Sequence, residues 1–468
     1  MEDSKFSTNL IQAEPYDYVM QDVSEPNLFP KIMDYDEIPK VPFNFRRVPM
    51  SFPENIWITD TTFRDGQQSR TPFTARQVVD LYKMMHRLSG KKGIIRQCEF
   101  FVYTKKDREA IEQCQALGYE FPEITTWIRA SKEDFKTARE MGIRETGILM
   151  SCSDFHIFKK MNMTRRQAMD KYLGIAKDAI EAGVVPRCHL EDITRADYNG
   201  FVIPFVCELT RLREQTGVPI KIRMCDTLGY GVPYTGAALP RSVQGWVYAL
   251  RYFAKTPPEL LEWHGHNDFY KAVTNSAMAW LYGASGVNCS VLGIGERTGN
   301  TPLEAMVVQY AQIKGTTDGM DLRVITEMAE YFEKELKHEI DPKTPFVGRN
   351  FNSTRAGIHA DGLLKDEAIY NIFNTEKLLG RKVSVIIGEH SGLAGIAHWI
   401  NAHFGLEGSD KIDKKDPITQ AIKQEVDRQF AEGRTTSFGD NELENMVRDA
   451  DVKTYMALCL HRRNIQHL

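Results

Sequence analysis

Residues 56–101 read IWITDTTFRDGQQSRTPFTARQVVDLYKMMHRLSGKKGIIRQCEFF. Ile56–Thr61 and Gly93–Phe101 are runs of β-branched, apolar and aromatic side chains, the composition of strands. Thr74–Ser89 between them is compatible with a helix. Strand, helix and strand in succession imply parallel pairing through a crossover. The unit recurs outward. Further candidate strands lie at Glu123–Ala130, Thr146–Ser153, Val184–Asp192, Ile220–Thr227, Leu261–Asp268 and Val287–Gly295. Helix-compatible segments at Lys105–Leu117, Ser131–Met141, Thr164–Gly183, Asn199–Thr216 and Tyr270–Tyr282 separate them. Eight such units in roughly 250 residues predict an α/β fold, a (β/α)8 TIM barrel over residues 56–315. A doubly wound open sheet is the alternative, and it would not need eight units.

The flanks differ. Residues 1–55 read as an irregular arm: residues 1–40 hold nine acidic against three basic side chains, with Tyr16, Tyr18, Phe29 and Tyr35 interspersed. Such an arm lies over the body, lies over a partner subunit, or is a partly disordered tail. Residues 316–468 read as mainly helical, with helices at Leu322–Lys337, Ser391–Phe404, Pro417–Glu432 and Asn441–Leu460. A long turn-rich stretch, Pro342–Asp361, interrupts them.

Composition bounds the function. With 59 basic and 63 acidic side chains, and no basic stripe, nucleic acid is not an expected partner. No apolar run is long enough for a membrane span, and MEDSKFSTNL lacks a signal pattern, so the cytoplasm is the expected location. The eight cysteines lack CxxC spacing; five (Cys98, Cys152, Cys188, Cys225, Cys289) fall in strand-like segments, as small hydrophobes do.

In a TIM barrel the reactive groups sit at the C-terminal strand ends and on the loops that follow. The unusual polar residues gather there: DTTFRDGQQ at 60–68, HGHND at 264–268 and GIGERTGN at 293–300. His264 and His266 are two apart on a strand, so their imidazoles share a face. Two neutral imidazoles with the Asp65 carboxylate and the Asn300 amide oxygen suit a divalent metal. Arg187, His189 and Glu191 also alternate onto one face. Arg187 is then either a structural ion pair or a guanidinium positioned to take a carboxylate. The glycine-rich loop 293–299 reads equally as a tight turn or as room for a pantetheine arm.

These motifs, with GIHADG at 357–362 and GEHSG at 388–392, resemble the metal-dependent Claisen synthases. That family makes isopropylmalate, homocitrate, citramalate or citrate, and shares its barrel with hydroxymethylglutaryl-CoA lyase. The likeness spans about residues 56–400. It implies that Asp65, His264, His266 and Asn300 surround a divalent metal, Mn²⁺ first, with Co²⁺, Mg²⁺ or Zn²⁺ as alternatives. It implies that Arg64 steadies the enolate oxygen, that Gln68, Glu99 and Thr227 lie on the substrate side, and that Glu191 works with His359 in proton transfer. His359 is expected to reach a partner's active site, in a homodimer with exchanged C-terminal segments.

Arg187 argues for a keto acid with a second carboxylate, because a buried cation without a partner is costly. His189, where relatives often carry serine, narrows the pocket in favour of oxaloacetate. The expected reaction is therefore the joining of acetyl-CoA and oxaloacetate to citrate and CoA, on the Re face. Homocitrate and isopropylmalate formation are the alternatives, and a lyase is further removed because Gly293–Asn300 lacks a cysteine. Three departures from the family pattern stand out. Only 109 residues follow His359, so a leucine-sensing domain is not expected; Phe100 and Phe101 after Glu99 imply a bulkier pocket floor, and Val383 stands where a tyrosine is often found.

Overall fold

The computed structural model describes residues 10–11, 18–129, 131–355 and 357–466. Residues 1–9 and 12–17 of the arm, Tyr16 included, and Ala130 at the end of the third candidate strand lie outside the described residues. The chain divides into two compact units, Met1–Asp321 and Leu322–Leu468.

In the first unit eight parallel strands close into a barrel in chain order: β1 (Trp57–Asp60), β2 (Ile95–Phe100), β3 (Glu123–Ile128), β4 (Glu145–Ser151), β5 (Val185–Glu191), β6 (Lys221–Asp226), β7 (Leu261–Gly265) and β8 (Gly286–Cys289). β8 pairs with β1, Cys289 opposite Asp60, which removes any free edge. Helices follow the strands, and several begin with a side-chain cap. Thr74, Thr104 and Thr164 each accept from the backbone N–H three residues on and form capping boxes.

Alternation sorts each strand. Cys98, Cys188, Leu190, Met224 and Trp263 face the helices and are buried. Positions 97, 99, 187, 189, 223 and 262 fill the barrel with polar side chains: Gln97, Glu99, Arg187 and Arg223 are joined by hydrogen bonds, and Arg223 pairs with Glu262 as an ion pair. Phe100 belongs to the outward set, packing on Phe63 and Tyr82, so it is not the pocket floor its position after Glu99 implied.

The strand predicted over Val287–Gly295 ends at Cys289, because Leu292 takes a left-handed conformation (φ 56°) in a short turn. The described part of the arm lies along the barrel. Ala238 N–H donates to Pro42 O, and Arg241 Nη1 donates to the carbonyls of Pro39 and Lys40.

The second unit is helical around its own apolar core, with Ile396, Ile400, Phe404, Ile422, Val426 and Val447 at its centre. Val383 is buried in that core. A two-strand pair, Ser353–Thr354 with Ser384–Val385, crosses it. The helix predicted over Asn441–Leu460 is two helices, Asp440–Ala450 and Val452–Gln466. They break at Asp451, whose backbone is extended and whose carboxylate accepts from Lys453 N–H. Among the described residues no helix is long and apolar enough to cross a membrane.

Candidate active site

The strand ends and following loops enclose a cavity of about 270 Å³. Eight of the twelve residues singled out from sequence line it: Arg64, Asp65, Gln68, His189, Glu191, Thr227, His264 and His266. Asn300, Glu99 and Arg187 stand behind that lining, buried. His359 belongs to the second unit, on the helix Gly357–Lys365, where its Nδ1 lies 3.2 Å from Thr354 Oγ1 and its ring is tilted against Tyr370.

Asp65, His264 and His266 offer ligand atoms within 4.8 Å of one another. The two Nε2 atoms are 3.3 Å apart and lie 4.0 and 3.8 Å from Asp65 Oδ2. A relay orients the first ring: His264 Nδ1–H donates to Asn288 Oδ1 (2.8 Å), Asn288 Nδ2 donates to Thr59 Oγ1 (2.9 Å), and Thr59 donates to Glu262 (2.7 Å). With its proton on Nδ1, His264 presents the Nε2 lone pair to the cavity. Burial and the neighbouring His266 drive the His264 imidazole down to about 3, so it is neutral. Burial pushes the Asp65 carboxyl up, but the Arg64 guanidinium and the hydrogen bond from Asn300 outweigh it and hold it below the ordinary carboxylate range. Asn300 Nδ2 donates to Asp65 Oδ2 (2.8 Å), while the buried Asn300 Oδ1 has no hydrogen-bond partner. Neutral imidazoles, an ionised carboxylate and an orphaned amide oxygen fit a divalent cation.

The glycines of the loop after β8 serve that geometry. A Cβ on Gly295 would meet Asn300 Nδ2 at 2.6 Å, and one on Gly299 (φ +89°) would meet Gly293 O at 2.2 Å. They let the loop fold on itself and seat Asn300, which favours the tight-turn reading.

Beneath the cavity lies an ion network. Glu99 receives Arg64 Nε (2.8 Å), Arg187 Nη2 (2.9 Å) and Arg223 Nη1 (3.0 Å). Arg187 is fully buried, and its other nitrogen meets Gln97 Oε1 and Glu145 Oε1, both at 3.1 Å. Arg187 therefore has protein partners, and the premise that its charge awaits a substrate carboxylate does not hold: the ion-pair reading of this residue is the one its surroundings match. Arg223, which sequence reading missed, carries the same alternation on β6 that marked Arg187 on β5. His189 is 1% exposed, borders the cavity, and its Nε2 makes no hydrogen bond. Burial and the Arg223 charge hold its imidazole well below the usual range, hence neutral. Gly147 on β4 makes its room, since a Cβ there would lie 2.6 Å from His189 Nε2.

Glu191 accepts from Ser151 Oγ, from His156 Nδ1 (3.0 Å) and from Lys160 Nζ (3.2 Å). Burial opposes its charge, but the hydrogen bond and charge of His156, with Ser151 and Lys160, hold the carboxyl at about 2. Asp192 beside it is left-handed (φ 67°), with its N–H on Thr227 Oγ1 (2.8 Å). His156 and Lys160 were not singled out from sequence; they sit on the turn Phe155–Lys160, which no periodicity announces. Arg297, held by Asp268 (2.8 Å), completes the cationic rim.

The model of the HMGL-like family matches residues 55–331. The chain is 59% identical to the citrate (Re)-synthase of Clostridium kluyveri, over 92% of this chain and 95% of that protein. It is 53% identical to the citrate (Re)-synthase of Syntrophus aciditrophicus, over 94% of this chain and 70% of that protein. The 2-phosphinomethylmalate synthase of Streptomyces hygroscopicus is 36% identical, over 92% of this chain and 98% of that protein.

Proposed function

The chain belongs to the HMGL-like family, and from that premise we propose that it joins acetyl-CoA to oxaloacetate, giving citrate and CoA by attack on the Re face. The observation that carries this reading is 59% identity, across nearly the whole of both chains, to a protein named citrate (Re)-synthase. The site agrees with it in chemistry: a neutral two-histidine, one-carboxylate cluster opens onto a cavity rimmed by cations.

His264, His266, Asp65 and Asn300 are the residues that would hold a divalent metal, Mn²⁺ in our reading. When bound, the metal supplies a Lewis acid for a keto carbonyl. The remaining work falls to the chain's own groups. Arg64, fixed by Asp65 and Glu99, presents a guanidinium to the oxygen on which negative charge develops. His189 and Thr227 border the keto acid, and Gln68 the cavity wall near Asp65. Glu99 and Arg187 act from below: Glu99 holds Arg64, and Arg187 holds Glu99.

A base takes a methyl proton from acetyl-CoA, the resulting carbanion forms a C–C bond to the ketone carbon, and water cleaves the thioester to release the thiol. Glu191, held at about 2, is a weak base on its own. We assign the proton to the partner subunit's His359, with Glu191 as the carboxylate that steadies the imidazolium, in a homodimer that exchanges C-terminal segments.

The test is thiol release from acetyl-CoA, with Mn²⁺ present, across oxaloacetate, 2-oxoglutarate, 2-oxoisovalerate and pyruvate. Preference for oxaloacetate, abolished by a chelator, is the expected result. Preference for 2-oxoisovalerate or 2-oxoglutarate would overturn the substrate, and activity undiminished by chelation would overturn the metal.

A further inference from the structure

Residues 18–55 have no role in the reaction described so far, yet they meet the barrel at one place that leads directly into the site. Asn27 N–H donates to Asp154 Oδ2 at 2.7 Å, and Asn27 Nδ2 donates to Asp197 Oδ2 at 3.3 Å. Six residues earlier, Gln21 N–H donates to Gly200 O (2.8 Å), and Gln21 O accepts from Arg165 Nη1 (3.1 Å). Arg165 and Asp154 are sealed from solvent, and the arm's groups complete their hydrogen bonding.

Arg165 is a fork. Its Nε and Nη2 grip Asp154 Oδ1 and Oδ2 at 3.0 and 2.6 Å, and Nη2 also reaches Asp197 Oδ2 at 3.0 Å. A bidentate guanidinium–carboxylate pair fixes orientation as well as distance. Asp154 is the residue from which the turn Phe155–Lys160 starts, and that turn delivers His156 and Lys160 onto Glu191. Only one residue separates Asp154 from His156.

We propose that the N-terminal arm is a positioning element of the active site, with Asn27 acting through Asp154 to hold His156 against Glu191. The inference rests on the reading of Glu191 as an active-site residue. Without the arm, Asp154 loses an amide donor and Arg165 loses the Gln21 carbonyl, both in a buried setting where an unmade hydrogen bond is costly. The turn then loses its fixed start, and the His156–Glu191 distance is no longer held.

A double-mutant cycle tests this in the full-length, metal-loaded enzyme. Asn27→Pro removes the amide hydrogen that Asp154 receives, and His156→Ala removes the group through which the arm acts. Asn27→Pro in the parent is expected to lower kcat about tenfold, the scale of small misplacements of catalytic groups. In the His156→Ala background the same change is expected to cost less than about twofold, the signature of coupled residues. Should Asn27→Pro fail to fold, Asp154→Asn takes its place in the cycle. Equal factors in the two backgrounds would overturn the proposal, since mere packing does not depend on His156. Glu191→Gln is assayed alongside: full activity there refutes the reading of Glu191, whereas a large loss there with an additive cycle refutes the arm alone.

Discussion

Arg187 Nη2 donates to Glu99 Oε1 across 2.9 Å inside the barrel, and neither side chain meets solvent. Arg64 and Arg223 reach the same carboxylate, so Glu99 is the hub on which three guanidiniums converge. Burial works against its charge, but the Arg223, Arg64 and Arg187 guanidiniums hold the carboxyl well below the ordinary range. Removing one member of such a network strands its partners, at a cost of about 3–5 kcal/mol. Arg187→Met should therefore lower unfolding stability by that order in a denaturant titration. An unfolding midpoint like the parent's, together with a KM for oxaloacetate raised more than about tenfold (a lost charged contact to substrate), would return Arg187 to the substrate instead.

The relay Glu262–Thr59–Asn288–His264 makes a second test available. Asn288 Oδ1 is the acceptor that fixes which nitrogen of His264 carries the proton. Loss of such an outer partner weakens metal binding by about 10–100-fold. Asn288→Ala should show that loss in calorimetric titration of metal-free protein with Mn²⁺. Affinity equal to the parent's would mean that packing alone sets the ring.

How far the sequence carried is clearest at β5. Alternation placed Arg187, His189 and Glu191 on one face, and eight strand–helix units placed that face inside a barrel. The partners of Arg187 lie on β2, β3 and β4, and pairing across the barrel interior follows from closure and register, which no local pattern contains. Arg223 was legible by the same alternation on β6, two residues before Cys225. His156 and Lys160 were not legible, since a short turn after β4 has neither helical nor strand periodicity. In the second unit the helical composition continues through residues 441–460, so the break at Asp451 is set by backbone geometry rather than by any proline or glycine.

Buried acids set a pH dependence of stability. Burial, against hydrogen bonds from the backbone, pushes the Glu304 carboxyl up to about 7, and its Oε2 accepts from Leu292 N–H at 3.0 Å. In the unfolded chain an ordinary glutamate titrates near about 4.3. Between those values the folded protein keeps a proton that the unfolded chain has released. The stabilisation present below the lower value is thus lost as pH rises towards the upper one, by up to roughly 1.4 kcal/mol per pH unit. Asp60, also pushed up to about 7, contributes in the same direction. Glu304→Gln keeps the acceptor for Leu292 and removes one titration. Unfolding free energies measured from about pH 5 to 8 should fall less steeply in the variant, by up to one proton's slope. Parallel curves would mean that Glu304 is ionised in the folded state.

The assignment of proton transfer to a histidine from another subunit can be tested by mixing. Asp65→Asn removes a carboxylate from the metal cluster, and His359→Ala removes the imidazole; each variant alone is expected to be nearly inactive. If His359 serves the partner's barrel, a mixed dimer contains one site in which both residues are intact. Random exchange of equal amounts should then restore about a quarter of the parent activity, because half the dimers are mixed and each has one working site. The recovery should follow the rate of subunit exchange, measured by mass spectrometry of differently labelled variants. Exchange without recovery would place His359 and Asp65 in the service of the same chain, and would remove the reason to expect exchanged segments.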